Sequence, residues 1–166
     1  AFSTDVRQVS PRNAEMCVKQ RLYPAKKVKV LGKGGTIGVD FTKFDCSKKE
    51  LYRLEIFDKY RLPKDSFVYG YVGRIQRDKG INELISAFKR IIETKDAYLF
   101  LVGNIDKQNP IDDEKMEWAK NCDRVIFTGS VNDVYRYMSA FDVLVHPTYR
   151  EGFGMVLQEA AAVKTP

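Results

Sequence analysis

The chain has 166 residues, 44% of them hydrophobic and 30% charged, with a formal net charge of +6. That balance excludes a disordered or low-complexity chain and leaves room for one good core with some remainder. No apolar run approaches the roughly 20 residues that a membrane-spanning helix needs, and no charged start followed by an apolar core marks a signal peptide.

Residues 1–40 read as a short unit. Ala14 to Leu22 is expected to be helical and Val28 to Leu31 a strand. Between Glu15 and Asp40 there is no acid, whereas Lys19, Arg21, Lys26, Lys27, Lys29 and Lys33 all fall there. A solvated face is the commoner reason for such a run; it also leaves an anionic ligand or a membrane surface open. No RNP-type aromatic motif or zinc-finger spacing points to nucleic acid. The loop Gly32-Lys33-Gly34-Gly35-Thr36-Ile37-Gly38 fails the G-x-G-x-x-G spacing because Ile37 takes the sixth position. It reads as a flexible connection. Asp45 to Tyr60 follows as a polar helical stretch.

From Phe67 onward, strands and helices alternate. Phe67–Val72 is expected as a strand, and Ile81, Leu84, Ile85, Phe88, Ile91 and Ile92 mark one helical face. Tyr98–Val102 is the next strand and 112–120 a weaker helix. Val125–Thr128 is a third strand. Val134, Tyr137, Met138 and Phe141 give a further helical face, capped by Asn132 or Asp133. Val143–His146 is the fourth strand, and Val156, Ala160 and Val163 lie on one face of a last helix. Short apolar strands separated by helices predict an α/β, Rossmann-like parallel sheet with helices on both faces. Ligands gather at the carboxyl ends of the strands in such sheets.

Cys17, Cys46 and Cys122 are widely spaced, without a Cys-x-x-Cys pair. They read as buried, reduced thiols of a cytoplasmic protein, not as a disulfide framework or zinc site. His146 is the single histidine; a structural role is expected over a ligand contact. No metal site is expected.

The densest chemistry lies in the loops after the expected strands. The first carries Gly73-Arg74 and, further on, Asp78-Lys79-Gly80. Arginine offers a planar fork and lysine a mobile point charge, both suited to an anion. Salt bridges to Asp78 are the plain alternative. The second strand ends in Val102-Gly103-Asn104 and the third in Thr128-Gly129-Ser130-Val131, small residues that let a backbone approach a ligand or simply turn. The fourth runs into Glu151-Gly152-Phe153-Gly154, with Glu159 eight positions after Glu151. A glycine turn before a helix offers free amides and a positive helix end to an anion. The carboxylates suit hydroxyls instead. Eight helical residues rise about 12 Å, at about 1.5 Å each. An elongated ligand with hydroxyls at both ends and phosphates between has the form of a nucleotide-diphosphate sugar.

Four matches together resemble the carboxyl-terminal half of a GT-B-fold glycosyltransferase of family 4, also called group 1. They are Gly38-Val39-Asp40 with Phe44; Val72-Gly73-Arg74 continuing to Asp78-Lys79-Gly80; Phe127-Thr128-Gly129; and Asp142 through Pro147 into Glu151-Gly152-Phe153-Gly154 and Glu159. The ordered set covers most of residues 38–166. The resemblance implies that 38–166 is a nucleotide-sugar-binding domain, incomplete at its carboxyl end, and that 1–37 is the crossover from an amino-terminal domain. It implies that Arg74 and Lys79 hold the donor diphosphate, and that Glu151 and the amides of Gly152, Phe153 and Gly154 hold the transferred sugar. Glu159 would grip the ribose, backbone near Val131 would face the base, and Gly73 and Gly103 would line the donor. It further implies hexosyl transfer without a metal or cofactor, with retention, to a glycan or lipid-linked glycan bound by the amino-terminal domain. The family's usual Asn before Gly-Val-Asp is Ile37 here.

The chain opens with Ala1 and closes at Pro166, so a piece of a longer protein is expected, inactive alone. A cytoplasmic location is expected, with contact at a membrane surface left open. The other readings are a nucleotide-sugar epimerase or sugar phosphorylase of the same architecture, or a non-catalytic nucleotide- or glycan-binding module.

Overall fold

The computed structural model describes residues 3–35 and 38–166. Ile37, where the sequence departs from the family pattern, lies outside the described residues. The chain divides into two compact units: 1–39 with 151–155, and 40–150 with 156–166.

The first unit is a βαβ arrangement. β1 (Val6–Gln8) and β2 (Val28–Val30) pair in parallel, Val6 beside Val28 and Gln8 beside Val30. Between them runs α1 (Pro11–Lys19). It begins three residues before the expected Ala14, because Ser10 accepts the Asn13 amide at 3.2 Å and Pro11 fits the first helical turn, where no N–H is needed. β1 went unpredicted: three residues with Arg7 at the centre carry too little pattern. Arg7 and Lys29 lie opposite each other in the register, and Asp5 pairs with both at 3.4 and 3.3 Å.

The second unit holds a four-stranded parallel sheet in the order β5-β4-β3-β6. Its strands are β3 (Phe67–Val72), β4 (Ala97–Val102), β5 (Val125–Gly129) and β6 (Val143–Leu144). The helices are α2 (Lys49–Tyr60), α3 (Ile81–Ile91), α4 (Asp113–Asn121), α5 (Val134–Ala140) and α6 (Met155–Ala162). Alternation along the strands divides the core. Tyr71, Leu99 and Leu101 pack with Ile81, Leu84, Ile85 and Phe88 of α3 and Ala119 of α4. On the opposite face Phe100 meets Tyr60 of α2 edge-on at 5.1 Å, Tyr137 of α5 at 6.4 Å and Phe141 at 6.1 Å. Burial pushes the Tyr60 hydroxyl up to about 12, helped by its contact with the Tyr137 hydroxyl. Helices therefore cover both faces, as a run of buried apolar parallel strands requires.

Three expectations are corrected. β6 is only Val143–Leu144; after Val145 donates to the Gly70 carbonyl at 2.7 Å, Pro147 has no N–H to extend the ladder. Asp133 does precede α5, but its side chain does not cap; it lies 3.8 Å from Arg136. The three cysteines are free but half-buried rather than buried.

Two residues from the recognised pattern turn out to serve the fold. Asp40 accepts the Thr42 amide at 3.0 Å and the Thr42 hydroxyl at 2.6 Å, which hold its carboxyl below the usual range. That turn delivers Phe44 into the core against Tyr135. Asp142 accepts the Val68 amide at 2.7 Å and pairs with Arg53 at 3.3 Å, fastening the start of β6 to β3.

Candidate functional site

The loops at the carboxyl edge of the second unit's sheet are zipped to one another. Beyond β3 and β4 the backbone continues as a parallel bridge, Ile75 beside Ile105. Ile75 donates to the Asn104 carbonyl at 2.9 Å, and Asp106 donates to the Ile75 carbonyl at 3.0 Å. Gly73 donates to Val102 and Gly103 to Gly129, each at 2.9 Å. Gly103 has φ +139, and a side chain there would overlap the Gly73 carbonyl. Glycine at 103 is thus what lets the two loops close on each other. Ser130 donates its amide to the Asn104 side chain at 3.1 Å, which ties in the loop carrying Val131. Tyr149 donates its amide to the Asp78 carbonyl at 3.0 Å, which ties in the loop after β6.

Arg74 projects from this rim. Its side chain is 69% exposed, and its guanidinium lies 3.3 Å from Asp106. The Arg74 carbonyl below accepts the hydroxyl of the fully buried Tyr71 at 2.8 Å, so the loop is anchored from the core. Lys79 donates to the Arg150 carbonyl at 3.1 Å. It stands just before α3, whose first turn supplies a positive helix end at the same edge. The plain alternative for the loop is salt bridges to Asp78; Arg74 pairs with Asp106. Asp78 instead accepts the Asn109 amide at 2.6 Å. Sequence reading did not anticipate Asp106 and Asn109. They lie 32 and 31 residues from their partners, and nothing local marks them.

Glu159 lies on α6, partly buried. Burial alone raises its carboxyl above the ordinary value, and no described residue offers it a hydrogen bond or ion pair. The sign follows from linkage. A raised carboxyl favours the folded state when protonated, and that contribution is lost as pH rises through the folded value. Glu159→Gln is therefore expected to raise the melting temperature at neutral pH. The gain should vanish below about pH 4, beneath the unfolded carboxyl value near 4.3. Thermal melts of both proteins from pH 4 to 8 check this. A variant melting lower than wild type at pH 7 would contradict it.

Glu151, Gly152, Phe153 and Gly154 belong to the first unit. The Glu151 carboxylate accepts the amide of Gly152 at 2.9 Å, so this amide is not free as the sequence suggested. Gly154 is buried with φ +75, and α6 begins at the next residue, close to the expected start. Among the described residues, no three of His, Cys, Asp or Glu cluster as a metal-binding group. Nor is any helix of the described residues long and apolar enough to cross a membrane.

Residues 53–166 match the family model described as glycosyl transferases group 1. The capsular polysaccharide biosynthesis glycosyltransferase CapM of Staphylococcus aureus is 35% identical over 99% of this chain and 42% of its own length. A glycosyltransferase of Rickettsia africae superposes with a TM-score of 0.80 at 18% identity, over 98% of this chain and 43% of that one. Anabaena HepE, solved with UDP and glucose, gives 0.74 at 22% identity, over 99% and 44%. The chain thus spans about two fifths of the length of the proteins it matches.

Proposed function

The chain belongs to the glycosyl transferases of group 1, and from that premise we propose that it carries the donor half of a transferase that moves a hexosyl group from a nucleotide-diphosphate sugar to an acceptor. The observation that supports this best is the rim at the carboxyl edge of the sheet. Glycine-closed loops at Gly73 and Gly103 carry Arg74 at the rim, and Lys79 stands just before the start of α3. Those are the elements that suit a diphosphate. HepE, of the same fold, was solved in complex with UDP and glucose.

In this reading the bond between the sugar C1 and the diphosphate oxygen breaks. The acceptor oxygen forms a new bond to C1, and its proton passes to the departing nucleotide diphosphate, which leaves. Charge grows on the departing oxygen, and Arg74 and Lys79 offset it electrostatically. That is the role a divalent cation plays in other transferases, so the reaction is proposed to need neither metal nor cofactor. Glu159 takes the ribose hydroxyls, backbone near Val131 lies against the base, and Glu151 with Gly152, Phe153 and Gly154 takes the sugar. Anomeric retention is proposed with the rest. The acceptor, a glycan or a lipid-linked glycan, is assigned to chain outside these 166 residues. On that assignment the 166-residue piece alone is expected to transfer little, since two substrates must be oriented together.

The test is calorimetry in EDTA with UDP, GDP and ADP, with and without their sugars, on wild type and Glu151→Ala. Saturable binding that favours one base supports the donor reading and identifies the donor class. Glu151→Ala should lose affinity for the nucleotide sugar, by about tenfold or more as one charge-assisted contact is removed, and hold the nucleotide diphosphate unchanged. Equal losses for both ligands would contradict the assignment of Glu151 to the sugar.

A further inference from the structure

The loop at 32–35 fits none of the roles above, and its glycines are not those of a flexible connection. Gly34 donates to the Leu31 carbonyl at 2.9 Å and Gly35 donates to the Val9 carbonyl at 2.8 Å, so the backbone is tied down. Both have positive φ, +104 and +99, where L side chains rarely sit. Their open side is occupied by the ring of Phe153. A Cβ on Gly34 would come 3.1 Å from Phe153 Cε2 and 2.6 Å from the Val9 carbonyl oxygen. A Cβ on Gly35 would come 3.1 and 3.2 Å from Cε1 and Cζ of the same ring. One edge of the ring therefore lies on each glycine. Gly152 adds a third point, since a Cβ there would touch the Val9 side chain at 3.5 Å.

We infer that Gly34 and Gly35 form a seat for the Phe153 ring and thereby fix the conformation of the Glu151–Gly154 turn. The seat needs glycine twice over: the backbone has positive φ, and any side chain would displace the ring. Phe153 is two residues from Glu151, and the Glu151 carboxylate already closes onto the Gly152 amide. A methyl group on either glycine would push the ring back by a few tenths of an ångström, and that shift carries along the chain to the carboxylate. The inference rests on the assignment of Glu151 to the sugar, and Gly34 and Gly35 are positioning residues rather than catalytic ones.

The experiment is a mutant cycle in the full-length protein with Gly35→Ala, Phe153→Leu and the pair, reading turnover of the nucleotide sugar and affinity for the nucleotide diphosphate. Gly35→Ala should lose turnover by about tenfold, short of the roughly hundredfold that a 1 Å misplacement brings, with diphosphate affinity within about twofold of wild type because that site lies on other loops. Phe153→Leu lacks the ring atoms that the new methyl would meet, so the pair should regain most of the loss. That recovery is what general destabilisation by alanine at positive φ would not produce. If Gly35→Ala does not fold, Phe153→Leu alone carries the test: lowered turnover with intact diphosphate binding supports the seat, and wild-type turnover overturns it. Additive losses, or a Gly35→Ala protein with full turnover, overturn the seat and leave the donor reading standing. A wild-type protein that binds no nucleotide overturns both.

Discussion

Replacing Arg74 and Lys79 together by alanine is expected to weaken nucleotide-diphosphate binding by well over a hundredfold while leaving the fold intact. Each is a charge-assisted contact, and losing one costs about 1.5–3 kcal/mol, or roughly tenfold to a hundredfold in affinity. The present partner of Arg74 does not oppose a ligand strongly. The Arg74–Asp106 pair is exposed on the arginine side, and such pairs contribute about 0–1 kcal/mol. Lys79 donates to a carbonyl at an exposed position. The loop conformation depends on Tyr71, Gly73 and Ile75 rather than on either cation, so thermal stability should change by less than about 0.5 kcal/mol. Titration of UDP, GDP and ADP into the double variant, with circular dichroism as the fold check, measures both. Undiminished binding in a folded double variant would remove the diphosphate from this rim. The single variants should sum to more than the pair if both cations grip one diphosphate, because each holds it in place for the other.

How much of this was legible in the sequence depended on the range of the interactions. The apolar strands β3 to β5 and the helical face of α3 follow from periodicity, and their bounds fell within a residue or two. The parallel arrangement followed from strand–helix alternation. Failures came where a tertiary contact decided. Phe141 fits a helical face by spacing, yet it lies just past α5 in extended backbone, because its ring fills the space over Gly70. Asp133 has the right type for a cap but faces Arg136. The Gly34-Gly35 pair reads as slack chain until the ring that covers it is visible, and that ring comes from more than a hundred residues away. The same limit applies to the site. The sequence singles out Arg74, Lys79 and Glu159 as candidates by residue type and position. The anchoring by Tyr71, Asn104, Asp106 and Asn109 was not readable, since each acts across a loop with no local signature.

Gly70→Ala is expected to damage the core of the second unit severely. Gly70 lies inside β3, paired to Phe100 on one side and Leu144 on the other. A Cβ there would overlap three ring atoms of Phe141. Phe141 is itself fully buried, in contact with Phe100, so the ring has no solvent to retreat into. Overpacking of a dense core costs about 1–3 kcal/mol, and a conflict across a central strand belongs at the top of that range or beyond it. Against a total stability of about 5–15 kcal/mol, the loss should be plain in chemical denaturation. Phe141→Leu in the Gly70→Ala background should restore part of it, because the shorter side chain vacates the space the methyl needs. Phe141→Ala alone should cost about 3–5 kcal/mol by leaving a cavity. Nucleotide binding should fall with Gly70→Ala as well, since β3 leads directly into Gly73 and Arg74. That loss should recover together with stability in the double variant, whereas loss at Arg74 or Lys79 should not recover with any change in the core. A stable Gly70→Ala protein would mean that β3 and Phe141 are not packed as described.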